Sequence, residues 1–391
     1  MKRVLLLLLL VSPFCQAQTR LSDQATISVV TCGPWQNELY SAFGHSAFRV
    51  HDPVLDIDEA YNYGVFDFDQ PNFYLNFTRG YMYYMLGVYD YKRFEYHYIS
   101  HNRYVHLQVL DLDSAQTQKL YDFLQWNALP ENRNYRYDYF YDNCATKIRD
   151  VVIKALGDSV NFDGSYIKTD YTIRELTDIY LKHQPWGDLG IDICLGLPMD
   201  KQATPYEYMF LPDYVESGFD HATIKRNGVA IPLVEKKISV YESQPEHFAK
   251  GLFRPLYVFG LLFIMAGIIS YRDLKKKKIT QAFDVVLFSV LGVLGVLFLF
   301  LWMATDHRAA AKNFNLLWAL PTHLVAVIAF VKQPRWLEKY FLGVALITII
   351  LLLSWVMLPQ KLHYGLVPLA MTVALRAGVQ YQLRKENRML S

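Results

Sequence analysis

Cysteine is scarce in this chain: its 391 residues hold four, at positions 15, 32, 144 and 194. They form no CxxC pair, which removes a zinc cluster and a dithiol redox centre from consideration. Charge is thin as well, at 19% Asp, Glu, Lys and Arg, and nearly balanced at a net +2. A nucleic-acid binder needs a basic face, so no nucleic-acid partner is expected. The hydrophobic share of 52% is too high for an ordinary soluble protein and too low for a chain wholly embedded in lipid. Two unlike halves averaged together account for it.

The first apolar run, Val4–Val11, is too short to cross a bilayer comfortably. With Lys2-Arg3 before it and Cys15-Gln16-Ala17 after it, residues 1–18 read as a signal peptide, the mature chain starting near Gln18. Pro13 and Phe14 stand where a lipidated Cys15 would want small residues, which argues against an anchor there. The domain that follows, 19–250, is therefore expected outside the cytoplasm. Alternation predicts strands at Ala25–Thr31, Ser46–Val50, Ala60–Phe66 and Tyr104–Leu110. A helix is predicted over Ser114–Asn127, opened by an Asp113/Gln116 capping box and burying Leu120, Phe123, Leu124 and Trp126. Strands and helices follow no regular βα order, so the class is α+β.

After Lys250 the character changes. Apolar stretches near 253–271, 283–303, 314–331, 338–358 and 363–379 each approach the ~20 residues a crossing needs. Five transmembrane helices over 251–391 are the expectation. Basic residues gather in the first loop (Arg272, Lys275 to Lys278), the third (Lys332, Arg335, Lys339) and the tail (Arg384, Lys385, Arg388). The positive-inside rule places those three in the cytoplasm and the N-terminal domain on the other side.

The stretch Tyr139–Asp150 carries the chemistry. Strand-like aromatics end at Asp142-Asn143, a good N-cap pair, and a helical pattern begins at Cys144 with Ile148, Val151, Val152 and Ala155 on one face. A thiol in the first turn sits at the positive end of the helix dipole, which favours the thiolate. A single cysteine so placed is more often a packed small side chain than a nucleophile. His45 raises it: it begins the strand after Gly44, and a return strand Glu59–Gly64 would bring Asn62 beside it. Thiol, imidazole and an amide that fixes the tautomer make the cysteine form of a catalytic triad.

Other groups are weaker. His97, His101 and His106 are spaced by four and five in a strand-like run and fit no ligand set, so neither a metal nor a cofactor is expected. Asp306, His307, Asn313 and Asn315 crowd the second outer loop and are candidates for positioning substrate, with His323 just inside the next helix. Phe73, Tyr74, Phe77, Tyr81, Tyr83 and Tyr84 read either as an acyl groove, a membrane-interface belt or a buried aromatic core. Cys32 and Cys194 are available for a disulfide in an oxidising compartment.

His45, then about a hundred residues, then Asn143-Cys144 opening a helix resembles the circularly permuted papain-like fold of NlpC/P60-like hydrolases and the lecithin:retinol acyltransferase family. The longer pattern is more specific. Glu38–His45, Tyr61-Asn62-Tyr63-Gly64, Glu131-Asn132-Arg133, Asp142–Thr146 and Thr305-Asp306-His307 together are similar to Lnb-type lipoprotein N-acyltransferases. The resemblance implies a permuted papain-like periplasmic domain joined to a membrane domain in the bacterial inner membrane. It implies Cys144 as nucleophile and His45 as base. The third member departs from the permuted acyltransferases, which often use a second histidine where this chain offers Asn62. The implied reaction moves an acyl chain from a phospholipid, through a Cys144 thioester, to the N-terminal amine of diacylglyceryl-modified apolipoproteins. Backbone N–H groups at Cys144 and Ala145, next to Asn143, would hold the oxyanion. The alternatives are a membrane-anchored cysteine amidase, peptidase or lipid thioesterase, and a non-catalytic adaptor.

Overall fold

A computed structural model describes residues 19–67, 69–248 and 251–390. The signal-peptide reading of residues 1–18 lies outside the described residues.

The alternating segments become strands. β1 (Thr26–Cys32), β2 (His45–Asp52) and β3 (Ile57–Val65) form an antiparallel meander, followed by the short helix α1 (Phe73–Arg79) and β4 (Met82–Asp90). α2 (Tyr91–Ser100), β5 (Val105–Leu110), α3 (Ser114–Ala128), β6 (Asn134–Tyr137) and α4 (Cys144–Leu156) come next. β7 (Val160–Asn161), α5 (Ile173–Leu181), α6 (Pro185–Cys194), α7 (Pro205–Tyr208) and α8 (Pro212–His221) lead to β8 (Thr223–Arg226), β9 (Val229–Pro232) and β10 (Val234–Tyr241). The main sheet has seven strands in the order β10-β5-β1-β2-β3-β4-β6, and β7, β8 and β9 make a small second sheet.

Period-two alternation splits β2 between two cores. Phe48 and Val50 face the larger one, where α3, α4 and α8 pack. Ala47 faces the other, closed by Tyr91, Phe94 and Tyr98 of α2. The Asp113/Gln116 capping box forms as expected, and Leu120 and Leu124 are fully buried. Trp126 is 53% exposed, because it lies off the stripe those leucines define.

In the second half, α9 (Pro255–Lys276), α10 (Gln281–Met303) and α12 (Trp336–Leu353) are long and apolar enough to cross a membrane. The other two expected crossings differ. Residues 314–331 hold a 3₁₀ turn over Phe314–Leu317 and, after Pro321, the seven-residue α11 (His323–Ala329). Proline cannot donate within a helix, so a continuous apolar run here is not a continuous helix. The last apolar stretch opens α13 (Val367–Leu390), whose Arg376 is fully buried. The Arg376 guanidinium donates to both Asp284 oxygens at 2.7 Å, to Asp273 at 2.9 Å and to Ser270 Oγ at 3.0 Å. That network ties α13 to α9 and α10 by charge-assisted bonds.

The halves meet at α6 and the turn after it. Asn313 Nδ2 donates to Ile193 O at 2.7 Å, Gln360 Nε2 to Leu195 O at 3.0 Å and Gly196 N to Ala309 O at 2.7 Å. A Cβ on Gly196 would stand 1.9 Å from Ala311 O, so only glycine permits this approach.

Candidate active site

The helix that presents the thiol is capped from both directions. Asn143 Oδ1 accepts from Thr146 N at 2.9 Å while Thr146 Oγ1 accepts from Asn143 N at 2.8 Å. Asn143 Nδ2 donates to Tyr139 O at 2.9 Å and Phe210 O at 2.8 Å. Every polar atom of that side chain is thus committed to holding the chain, and it is buried. Ala145, Ile148, Val151, Val152 and Ala155 anchor α4 in the larger core. At an apolar yield of about 25 cal/mol per Å², this face fixes the helix far more firmly than its intrinsic propensity would.

His45 is the first residue of β2, and Asn62 lies on the neighbouring β3. The register of β3 against β4 shifts between Asn62 and Val65, and Gly64 within that irregularity takes φ +93°. A bulge bends its strand and re-aims side chains. Here Asn62 Oδ1 comes to 2.6 Å from His45 Nε2. The same glycine clears space for sulfur: a Cβ there would stand 3.3 Å from Cys144 Cβ and 3.9 Å from His45 Cε1.

With Nε2 taken by Asn62, Nδ1 is left for the hydrogen bond that joins His45 to the Cys144 thiol. Burial pushes the thiol up. The His45 charge and hydrogen bond, with the backbone N–H groups of Ser46 and Ala145, outweigh burial and hold it below the usual thiol range. Burial likewise pushes the imidazole down, and the Cys144 thiolate, its hydrogen bond and the Asn62 bond raise it above its usual range. Both shifts favour a thiolate–imidazolium pair. The arrangement can attack an acyl carbonyl and return a proton to a leaving group.

The sulfur opens into a cavity of about 140 Å³. Phe43, Phe66, Tyr84, Tyr137, Tyr139 and Phe210 give it an aromatic wall, suited to an apolar substrate. Tyr98 was not legible in advance: it stacks on His45 at 6.0 Å and 10°, and the Arg103 guanidinium lies 4.5 Å from the Tyr98 ring centre. Arg103 is buried and donates through Nε to Gly33 O at 2.6 Å, which ties that platform to the end of β1. Gly44 in the Phe43-Gly44-His45 run and Gly64 in Tyr63-Gly64 were the available signals for the rest of the wall.

The outer-loop candidates do not line this cavity. Asp306 pairs with Arg136 and takes its backbone N–H to Arg79 O at 2.9 Å, while His307 Nε2 bonds Phe77 O at 3.1 Å. Asn313 and Asn315 are buried and bond Ile193 O at the junction. His323 is buried against Tyr340. Tyr74, Phe77 and Tyr83 are at least 48% exposed, so the buried-core reading of those aromatics fails. The disulfide is not formed either: Cys32 and Cys194 are free thiols. Cys32 is locked in β1 opposite His45, whereas Cys194 ends α6 at the junction with the membrane half.

No curated protein and no solved structure matches the chain. Two family descriptions do: "Lnb N-terminal periplasmic domain" over residues 14–178 and "Lnb transmembrane domain" over residues 247–388. The first covers the thiol, the imidazole and the amide, and the second covers the apolar helices. A sheet domain carrying the thiol and a helical membrane domain, each matched in its place, make this chain a member of the Lnb family, a membrane protein with a periplasmic region and the architecture of the Lnb-type lipoprotein N-acyltransferases.

Proposed function

We propose that the protein is a lipoprotein N-acyltransferase of the inner membrane, multi-pass, with residues 19–250 in the periplasm. The carrying observation is the thiol–imidazole–amide arrangement at the head of α4, opening into an aromatic cavity on a domain bonded to a membrane bundle.

In the first half-reaction Cys144 Sγ attacks the ester carbonyl of a phospholipid. The C–S bond forms, the ester C–O bond breaks, and the imidazolium proton of His45 passes to the leaving glycerol oxygen. A lysophospholipid departs and the acyl chain stays as a thioester. The N–H groups at Cys144 and Ala145, at the positive end of α4, lie where the oxyanion develops. In the second half-reaction the α-amine of a diacylglyceryl-modified N-terminal cysteine attacks the thioester. The C–N bond forms, the C–S bond breaks, and His45 takes the amine proton as sulfur leaves. An amide is made and the thiolate–imidazolium pair is restored. No cofactor is required by this balance.

Mass spectrometry of lipoprotein N-termini tests the reading. Cells carrying Cys144→Ala are expected to accumulate diacylated lipoproteins while the variant remains in the membrane. Triacylated N-termini at wild-type levels in cells whose sole source is that variant would sink it.

A further inference from the structure

Between Met303, at the end of α10, and Cys144 lie three concavities that share walls. The outermost, about 240 Å³, is bounded by Met303, Thr305 and Asp306 on one side and by Arg79 and Tyr81 on the other. Tyr81 is also a wall of the next, where Phe77, Tyr83 and Tyr84 close the space to about 10 Å³. Tyr84 in turn walls the cavity at Cys144, with Phe66 edge-on to it at 5.3 Å.

This chain of spaces is not accidental in its attachment. The Asp306 and His307 bonds to the backbone of Arg79 and Phe77 hold α1 against the end of α10. Arg136, paired to Asp306, lies 4.6 Å from the Tyr81 ring centre and steadies it by a cation–π contact. Tyr74, Leu75 and Phe77 of α1 and Met303 of α10 are 78%, 54%, 50% and 73% exposed. Those exposed groups continue the apolar flank of α10, where aromatic and aliphatic side chains are accommodated by the lipid interface rather than by water.

We propose that α1 and β4 form the conduit for the acyl chain of an outer-leaflet phospholipid. With its carbonyl at Cys144 Sγ, the chain runs past Phe66 and Tyr84, between Phe77 and Tyr83, and leaves past Tyr81 and Met303 into the bilayer. Phe77 and Tyr83 are half-exposed, so their rings have room to turn outward and open the closed middle segment. A long chain reaches from Cys144 to Met303 with its end still in the bilayer and its emerging methylenes screened from water by the aromatic lining, whereas a short chain drawn to the sulfur leaves the bilayer altogether, so the conduit favours long chains over short ones. The inference rests on the acyl-transfer reading and specifies its donor as a long-chain bilayer lipid.

The test uses the full-length protein in vesicles of dipalmitoyl phosphatidylethanolamine, with the Cys144 thioester followed by intact mass. p-Nitrophenyl acetate acylates the same thiol without a chain to place, and serves as the second donor. For the double variant Phe77→Asn, Tyr83→Asn the rate from phospholipid is expected to fall about tenfold or more, with the acetate rate held within about twofold. Unchanged rates on both donors overturn the conduit and leave acyl transfer standing. Loss on both donors that Phe77→Leu with Tyr83→Phe does not restore overturns it too. Wild-type protein that takes acetate but no chain from phospholipid overturns the acyl-transfer reading itself.

Discussion

Asn62 Oδ1, 2.6 Å from His45 Nε2, places the ring proton on that nitrogen and leaves Nδ1 to exchange a proton with sulfur. The pH dependence follows. Below the lowered thiol pKa, Cys144 is protonated and cannot attack; above the raised imidazole pKa, His45 has no proton for the leaving alcohol. Thioester formation should therefore trace a bell, its acid limb below the usual thiol range and its alkaline limb above the usual imidazole range. Asn62→Ala removes an acceptor that stabilises the imidazolium, so the alkaline limb moves to lower pH; a limb that stays put would deny Asn62 its role. Gly64 supplies a second check. An alanine there is strained at φ +93° by about 1–3 kcal/mol. It also meets Cys144 Cβ at 3.3 Å. Gly64→Ala is expected to lower kcat on the order of 10²-fold, since small displacements of reacting groups cost that much, with the protein still folded by circular dichroism. Asn62 could be found from sequence because a hairpin fixes which residues face each other. Tyr98 could not, because it reaches His45 from a helix packed on the same face of the sheet, and that helix carries tyrosine on its buried and exposed sides alike.

Among elements, the legible ones are those whose local rules agree with their burial. β2 alternates and lies between two cores; α3 has its capping box and its leucines on one side. α4 shows the same agreement, with a capping residue next to a thiol and an apolar stripe below it. β4 and α2 carry tyrosines on both faces, so periodicity has nothing to sort. The run 314–331 misleads for a different reason: hydropathy sums side chains, whereas Pro321 and the turn at Phe314 break the backbone. Asn313 and Asn315 look like free polar groups because their partner, Ile193 O, lies 120 and 122 residues away. The close approach of Gly196 to Ala311 gives this element its own test. Gly196→Ala is expected to cost about 1–3 kcal/mol by overpacking the junction. Its signature is a lower melting temperature, with thiol reactivity at Cys144 retained.

Taken whole, the molecule has a site built wholly within one half and a location supplied by the other. α6 and the turn after it join the halves through Ile193, Leu195 and Gly196, and α1 joins them a second time through Arg79 and Phe77. The membrane half has its own organiser in Arg376, which serves two carboxylates at once. Arg376→Leu strands Asp273 and Asp284 without a cation, and breaking such a buried set costs about 3–5 kcal/mol. Expected is a sharp fall in membrane abundance, partly recovered when Asp284→Asn is added; unaltered abundance and melting temperature would show the network to be dispensable. The same network bears on how the chain is made. An arginine buried in a helix of the membrane half is costly until its counter-ions are in place. α9 and α10 are synthesised first and bring Asp273 and Asp284 with them. α13, made after both, thus depends on a prepared berth, and a nascent chain stopped before residue 367 carries two carboxylates still waiting for their counter-ion.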